Sequence, residues 1–204
     1  MRRALPHAAL AILTLSSHAA CSPSVDPPAD GPLTSAVHSD VATEEAAAVA
    51  ARSPIPVVLD AEGLSVGSGA KRERFPFGSV QADVERAVSE ATGKTAKPSS
   101  NEECGAGPMQ FAQFGGLMLN FQDGKLTGWF ADEGDEAVTG DGIRPGIPLS
   151  GLQSERSVKR ITDSTLEGEI EYAMPDGSTL GGFVSEGADP RLTSLYAGMS
   201  CFFR

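Results

Sequence analysis

The groups that could carry a proton or attack a substrate are scattered along this chain. The three histidines are His7, His18 and His38, so no imidazole follows residue 38. Ser-His-Asp and Cys-His catalysis, and most histidine-based zinc sites, are thereby excluded from the remainder. Ser157 and Lys159 stand close together, but no Ser-x-x-Lys motif frames them. Glu102, Glu103, Glu169 and Glu171 are carboxylates of the kind glycosidases use, yet nothing in their spacing sets two of them across a pocket. Residues 131–142, ADEGDEAVTGDG, carry Asp132, Glu133, Asp135, Glu136 and Asp141. These are oxygen donors suited to calcium, but an EF-hand needs acids or amides at alternate positions, then glycine and a distal glutamate. The stretch reads first as a solvated linker, with weak calcium binding as its competitor. Gly105-Ala106-Gly107-Pro108 lacks the third glycine of a dinucleotide fingerprint, and Pro108 breaks the helix start, so it reads as a tight turn beside Cys104. No catalytic residue, metal ligand or cofactor is assigned. Trp129, Phe130, Tyr172 and Tyr196 are strand aromatics, either core and cross-strand pairs or a binding patch, and Trp129 is the binding candidate.

The elements that must position these residues lie after residue 56. Residues 57–59 and 63–66 read as short strands, followed by a basic polar link. Ser79 is placed to cap a helix with apolar positions Val80, Val84, Ala87, Val88 and Ala91, and Gly93 stops it. Met109, Phe111 and Phe114 begin a meander, Gly115-Gly116 turns it, and Leu117, Leu119 and Phe121 alternate again. Asp123-Gly124 suits a type I′ turn before a strand over 126–130. After the acidic stretch the order recurs: a helix near 149–155, then strands near 158–161, 169–172, 182–185 and 192–197, with a last strand over 199–203. The expected fold class is α+β, two degenerate helix-plus-antiparallel-meander repeats at about 56–131 and 142–204, with helices packed on sheet.

Every aromatic residue lies between Phe75 and Phe203, which confines the core to a single domain over 56–204. A domain of roughly 150 residues buries ~70% of its extended-chain surface, enough for a self-sufficient core. The net charge is −11, and no Lys/Arg cluster alternates with aromatics, so nucleic acid is a poor partner. Residues 1–20 read as a signal peptide: Arg2 and Arg3 open it, and the apolar run at 8–15 is too short to span a bilayer. Residues 21–55 are rich in Pro, Ala and Ser and contain no aromatic, the composition of a flexible tether.

Ser17-His18-Ala19-Ala20-Cys21 resembles a bacterial lipoprotein lipobox, with His18 where an aliphatic residue is usual. The resemblance implies lipidation of Cys21, a palmitate-type anchor in a membrane; ordinary cleavage after Ala19 is the alternative. Ser22 in place of aspartate implies the outer membrane, facing the periplasm, in a Gram-negative cell. Cys104-Gly-Ala-Gly-Pro, Phe121-Gln-Asp-Gly-Lys-Leu-Thr-Gly-Trp129 and the ending 195–204 resemble uncharacterised bacterial envelope lipoproteins. The order of elements is similar, more distantly, to β-lactamase-inhibitor-protein-like and small outer-membrane lipoprotein folds, which bind proteins. With Cys21 taken as the lipid site, Cys104 and Cys201 remain, and in an oxidising compartment such a pair is most simply a disulfide. A redox pair is the competitor, without a Cys-x-x-Cys spacing to support it. The functional expectation is a non-catalytic exported lipoprotein that binds an envelope protein or another envelope component. A histidine-independent hydrolase or ligand-binding enzyme, and a purely structural spacer, are the alternatives.

Overall fold

The apolar residues of 57–76 alternate over three short runs, and the chain folds them into an antiparallel ribbon: β1 (Val57–Asp60), β2 (Gly63–Val66) and, after a 3-10 turn at Gly69–Lys71, β3 (Glu73–Pro76). This computed structural model describes residues 56–134 and 137–202. Helix α1 (Gln81–Thr92) follows and buries Val84, Ala87, Val88 and Ala91 on one face. Gly93 ends it in the left-handed conformation, φ 67°, with its N–H on the Ser89 carbonyl, the backbone state glycine reaches without a Cβ clash. The helix start differs from expectation. Val80 is the N-cap and no side chain caps the turn, because the Ser79 hydroxyl donates to the Pro76 carbonyl instead, at 2.6 Å.

Four strands come next: β4 (Lys97–Asn101), β5 (Met109–Phe114), β6 (Leu117–Gln122) and β7 (Lys125–Asp132). The β6–β7 turn holds Asp123 and Gly124 at φ 52° and 68°, the two positive values a type I′ turn requires. A two-residue strand β8 (Val138–Thr139) then precedes α2 (Leu149–Glu155) and a second set, β9 (Val158–Arg160), β10 (Glu169–Ala173), β11 (Thr179–Val184) and β12 (Leu192–Gly198).

Two sheets result. The larger is antiparallel in the order β4-β5-β6-β7-β12-β11-β10-β9, so each half contributes a four-stranded meander and the halves join through their last strands. The smaller has the order β3-β2-β1-β8, with β8 parallel to β1. One apolar cluster takes Val57, Leu59 and Leu64 from the small sheet, the buried faces of α1 and α2, and Phe114, Leu119, Phe121, Trp129 and Leu195 from the large one. Both helices and the small sheet therefore pack on one face of the eight-stranded sheet. The fold is α+β in this coarse sense and consists mostly of strand.

Several sequence readings change. β4, Lys-Pro-Ser-Ser-Asn, has no apolar alternation because it is an edge strand exposed at every position but Asn101. The expected strand over 199–203 is absent among the described residues: β12 ends at Gly198, and residues 199–202 cross the opposite face of the large sheet as an extended strap. The acidic stretch is not a plain solvated linker, since it contains β8 and the buried Thr139. The signal and tether assignments, including Cys21, lie outside the described residues.

Candidate functional site

Trp129 is not on a surface. It is 0% exposed, and its indole N–H donates to the Asp60 carbonyl at 2.8 Å, tying the large sheet to the small one. That corrects its reading as a binding residue, and the reason is a β-bulge. Phe121 pairs with Leu126 and Asn120 with Gly128, which leaves Thr127 as an extra residue in β7. Simple alternation from the buried Leu126 would turn Trp129 outward; the extra residue reverses the parity, so Leu126 and Trp129 both face the core. Tyr172 also belongs to the core, at 1% exposure.

Phe130 and Tyr196 do share a face, the one turned away from the helices, where they are cross-strand partners. Phe183 joins them from β11, with ring centroids 6.5 Å from Phe130 and 5.6 Å from Tyr196. Gly181 makes room, since a Cβ there would lie 2.2 Å from the Tyr196 ring. The Tyr196 hydroxyl donates to the buried Glu169 carboxylate. All four rings of this group are partly buried, and the fourth is Phe202 of the strap, packed edge-on against Phe130, Phe183 and Tyr196 at 6.0, 5.4 and 5.1 Å.

The strap has a prepared seat. The Met199 N–H donates to the Thr127 carbonyl and the Asn120 side-chain amide donates to the Met199 carbonyl, both at 2.8 Å. Beneath it lies Gly128, where a Cβ would come within 2.2 Å of the Met199 oxygen. Cys201 is bonded to Cys104, and the pair packs with Met109, Phe111 and Met118 in a second, smaller apolar cluster on this face. The disulfide thus joins the strap to the loop between β4 and β5.

On the core side, Asp141 organises a polar network. Its side chain is 4% exposed and accepts from Arg156 Nε at 2.8 Å, with Thr139 and Tyr172 hydroxyls on its other oxygen. Thr139 also receives the Ile143 N–H at 2.9 Å, closing the turn after β8. Burial pushes the Tyr172 phenol well above its ordinary range, with the neighbouring Asp141 charge adding to the effect, so it stays a proton donor. Because Arg156 neutralises it and both oxygens are taken, Asp141 acts as a brace between β8, α2 and β10.

The other sequence candidates do not converge. Glu102 and Glu103 are exposed at the β4 end, while Glu169 and Glu171 lie on β10, with five strands between. At the usual strand spacing that is roughly 30 Å. Ser157 and Lys159 are exposed and share no hydrogen bond. Asp132 is exposed on β7; partial burial and then the Glu133 charge raise its carboxyl above the usual range. Among the described residues no group of three or more His, Cys, Asp or Glu side chains is placed to hold a metal ion, and no helix is long and apolar enough to cross a membrane. Sequence reasoning missed the Asp141 brace and a cleft beside it that carries Arg72 and Arg74; the one available signal was Lys71-Arg72-Glu73-Arg74, a basic run in an acidic chain. Compared with family models, curated proteins and solved structures, the chain matches none.

Proposed function

We propose that this chain is a non-catalytic binding module of the bacterial cell envelope, anchored by lipid on Cys21 and carried on the tether 21–55. The partner is an envelope protein that presents an apolar side chain to the strapped face of the large sheet. The observation that carries this reading is the one-sidedness of the sheet. Both helices and the small sheet lie on one face, and the other holds Phe130, Phe183, Tyr196 and Phe202 under nothing larger than a short strap. Clustered aromatics on a rigid sheet supply contact area at little cost in side-chain ordering, which is why such residues dominate protein interfaces. Two degenerate repeats account for the architecture: each half runs helix, then four-stranded meander, and the two meet through β7 and β12.

Crosslinking of the full chain in its native envelope tests the proposal, with wild type compared against Phe183→Ala and, as a control on the far side of α1, Arg86→Ala. One recurrent crosslinked protein is expected with wild type and Arg86→Ala, and about tenfold less of it with Phe183→Ala, the effect of losing one interface anchor. Unchanged Trp129 fluorescence shows that the variant is folded. Recovery of no reproducible partner, or of the same partner at equal yield from the folded Phe183→Ala chain, overturns it.

A further inference from the structure

The small sheet carries a cleft that the strapped face does not touch. Strand register places Val58 opposite Ser65 and Ser65 opposite Arg74, so these side chains form one row across β1, β2 and β3. The row lies on the face opposite Leu59 and Leu64, which point into the core. Arg72 and Asp60, each two residues from a member of the row, extend the same face. The β10–β11 turn and the Gly140-Asp141 turn close the far side, enclosing a cleft of about 400 Å³. A recess of about 330 Å³ continues it past Arg74 to Ser178 and shares Asp60 and Asp176 with it. These dimensions suit a small molecule.

The polar groups inside are arranged by sign. Ser65 is 4% exposed, lines the cleft, and makes no hydrogen bond to any described residue, so its hydroxyl is available there. That hydroxyl opens onto the cleft, where a ligand reaches it as both donor and acceptor. Arg72 forms no ion pair among the described residues, and Arg74 reaches only Asp60, at a long 3.7 Å. On the opposite wall, Asp176 Oδ1 accepts both the N–H and the hydroxyl of Ser178, at 2.9 and 2.6 Å, and Oδ2 is left over. Those bonds hold its carboxyl below the usual range and keep it charged. Asp60 stands on the arginines' own sheet, its Oδ1 taking the Glu62 N–H at 3.0 Å and its Oδ2 facing Arg74 at 3.7 Å. Val58, Met174 and Pro175 supply an apolar lining between the two signs of charge.

We propose that this cleft binds a small zwitterion, an amino acid or dipeptide with small side chains. Its carboxylate lies against Arg72, Arg74 and the Ser65 hydroxyl, and its ammonium group against Asp176. Guanidinium groups match a carboxylate through paired N–H donors, and an anion alone would meet the two aspartates unfavourably. The Asp141 brace holds the back wall, because the turn it closes with Arg156, Thr139 and Tyr172 forms that wall.

The test is titration of the full chain with alanine and alanylalanine, followed by calorimetry and by backbone amide resonances. N-acetyl-alanylalanine, which lacks the ammonium group, and alanylalanine amide, which lacks the carboxylate, are titrated in parallel. At least one free zwitterion is expected to move the Ser65, Arg74 and Ser178 resonances, and each blocked compound to bind about tenfold more weakly or worse. Arg72→Ala/Arg74→Ala, both at exposed positions, abolishes the response to the free compounds while Trp129 fluorescence stays unchanged. Asp176→Asn, which keeps the turn's acceptor oxygen, weakens the ammonium-bearing compounds selectively. The proposal is overturned if neither alanine nor alanylalanine moves these resonances at about 10 mM, a concentration above any meaningful affinity. It is equally overturned if the blocked compounds bind as well as the free ones.

Discussion

Asp141 lies in a run of acids that looks solvated, yet its carboxylate is among the most buried charges described, and the Arg156 guanidinium beside it is only 19% exposed. Removing one member of a buried ion pair leaves the other desolvated and uncompensated, which costs more than the pair itself contributes. Asp141→Ala is therefore expected to lower stability by about 3 kcal/mol, measured by urea unfolding followed at Trp129. A loss near zero would show that water replaces the carboxylate and that the turn does not depend on it. Composition conceals this residue, because nothing in ADEGDEAVTGDG marks Asp141 as an acid that turns inward. Its partners Arg156 and Tyr172 come from α2 and β10, distant in the chain and adjacent only after folding. Trp129 illustrates the opposite case. Its strand was readable, but its facing depended on one bulged residue, and a period-two pattern carries no mark of a bulge.

At the scale of elements, legibility followed the physics of exposure. α1 buries one side and β5 to β7 are rich in buried apolar residues, so their apolar spacing and their glycine turns expose them in the sequence. β4 and β8 bury too little to show a period, and both owe their strand geometry to a neighbour. The edges of the large sheet are protected in the usual ways. β4 carries Lys97 and Pro98, and β9 is three residues long with Lys159 and Arg160. Such features disfavour the addition of a further strand at either edge. The strap on that face depends on Gly128, where any side chain meets the Met199 backbone. Gly128→Ala should cost about 2 kcal/mol, as overpacking does, and should speed hydrogen exchange at the Met199 amide, whose bond to Thr127 it disturbs. Exchange at wild-type rate would mean that the strap is not seated on this glycine.

For the molecule as a whole, Cys104 and Cys201 join residues 97 apart in sequence. A cross-link of that span restricts the unfolded chain strongly, by ~4–5 kcal/mol in the chain-entropy model. Cys104→Ser/Cys201→Ser should lower the unfolding free energy by about that amount, less any structure kept in the unfolded state. Two titratable thiols in the denatured, unreduced wild-type chain would instead mean that the bond does not form. The order helix then meander, twice, could be read from turns and periods. How the halves join could not, because antiparallel strands carry no signal of which neighbour they take across a long connection, and here β7 meets β12.

That junction also dictates a timetable. Synthesis starts at the N-terminus, so β4 to β7 are complete while β12, which belongs in the middle of the sheet, has yet to be made. Until Leu192–Gly198 arrives, β7 stands as a bare hydrogen-bonding edge beside the buried-type face of Leu119 and Trp129, the situation in which strands pair with the wrong partner. The edge that joins the two halves in the finished sheet is thus the one most open to mispairing before β12 is made.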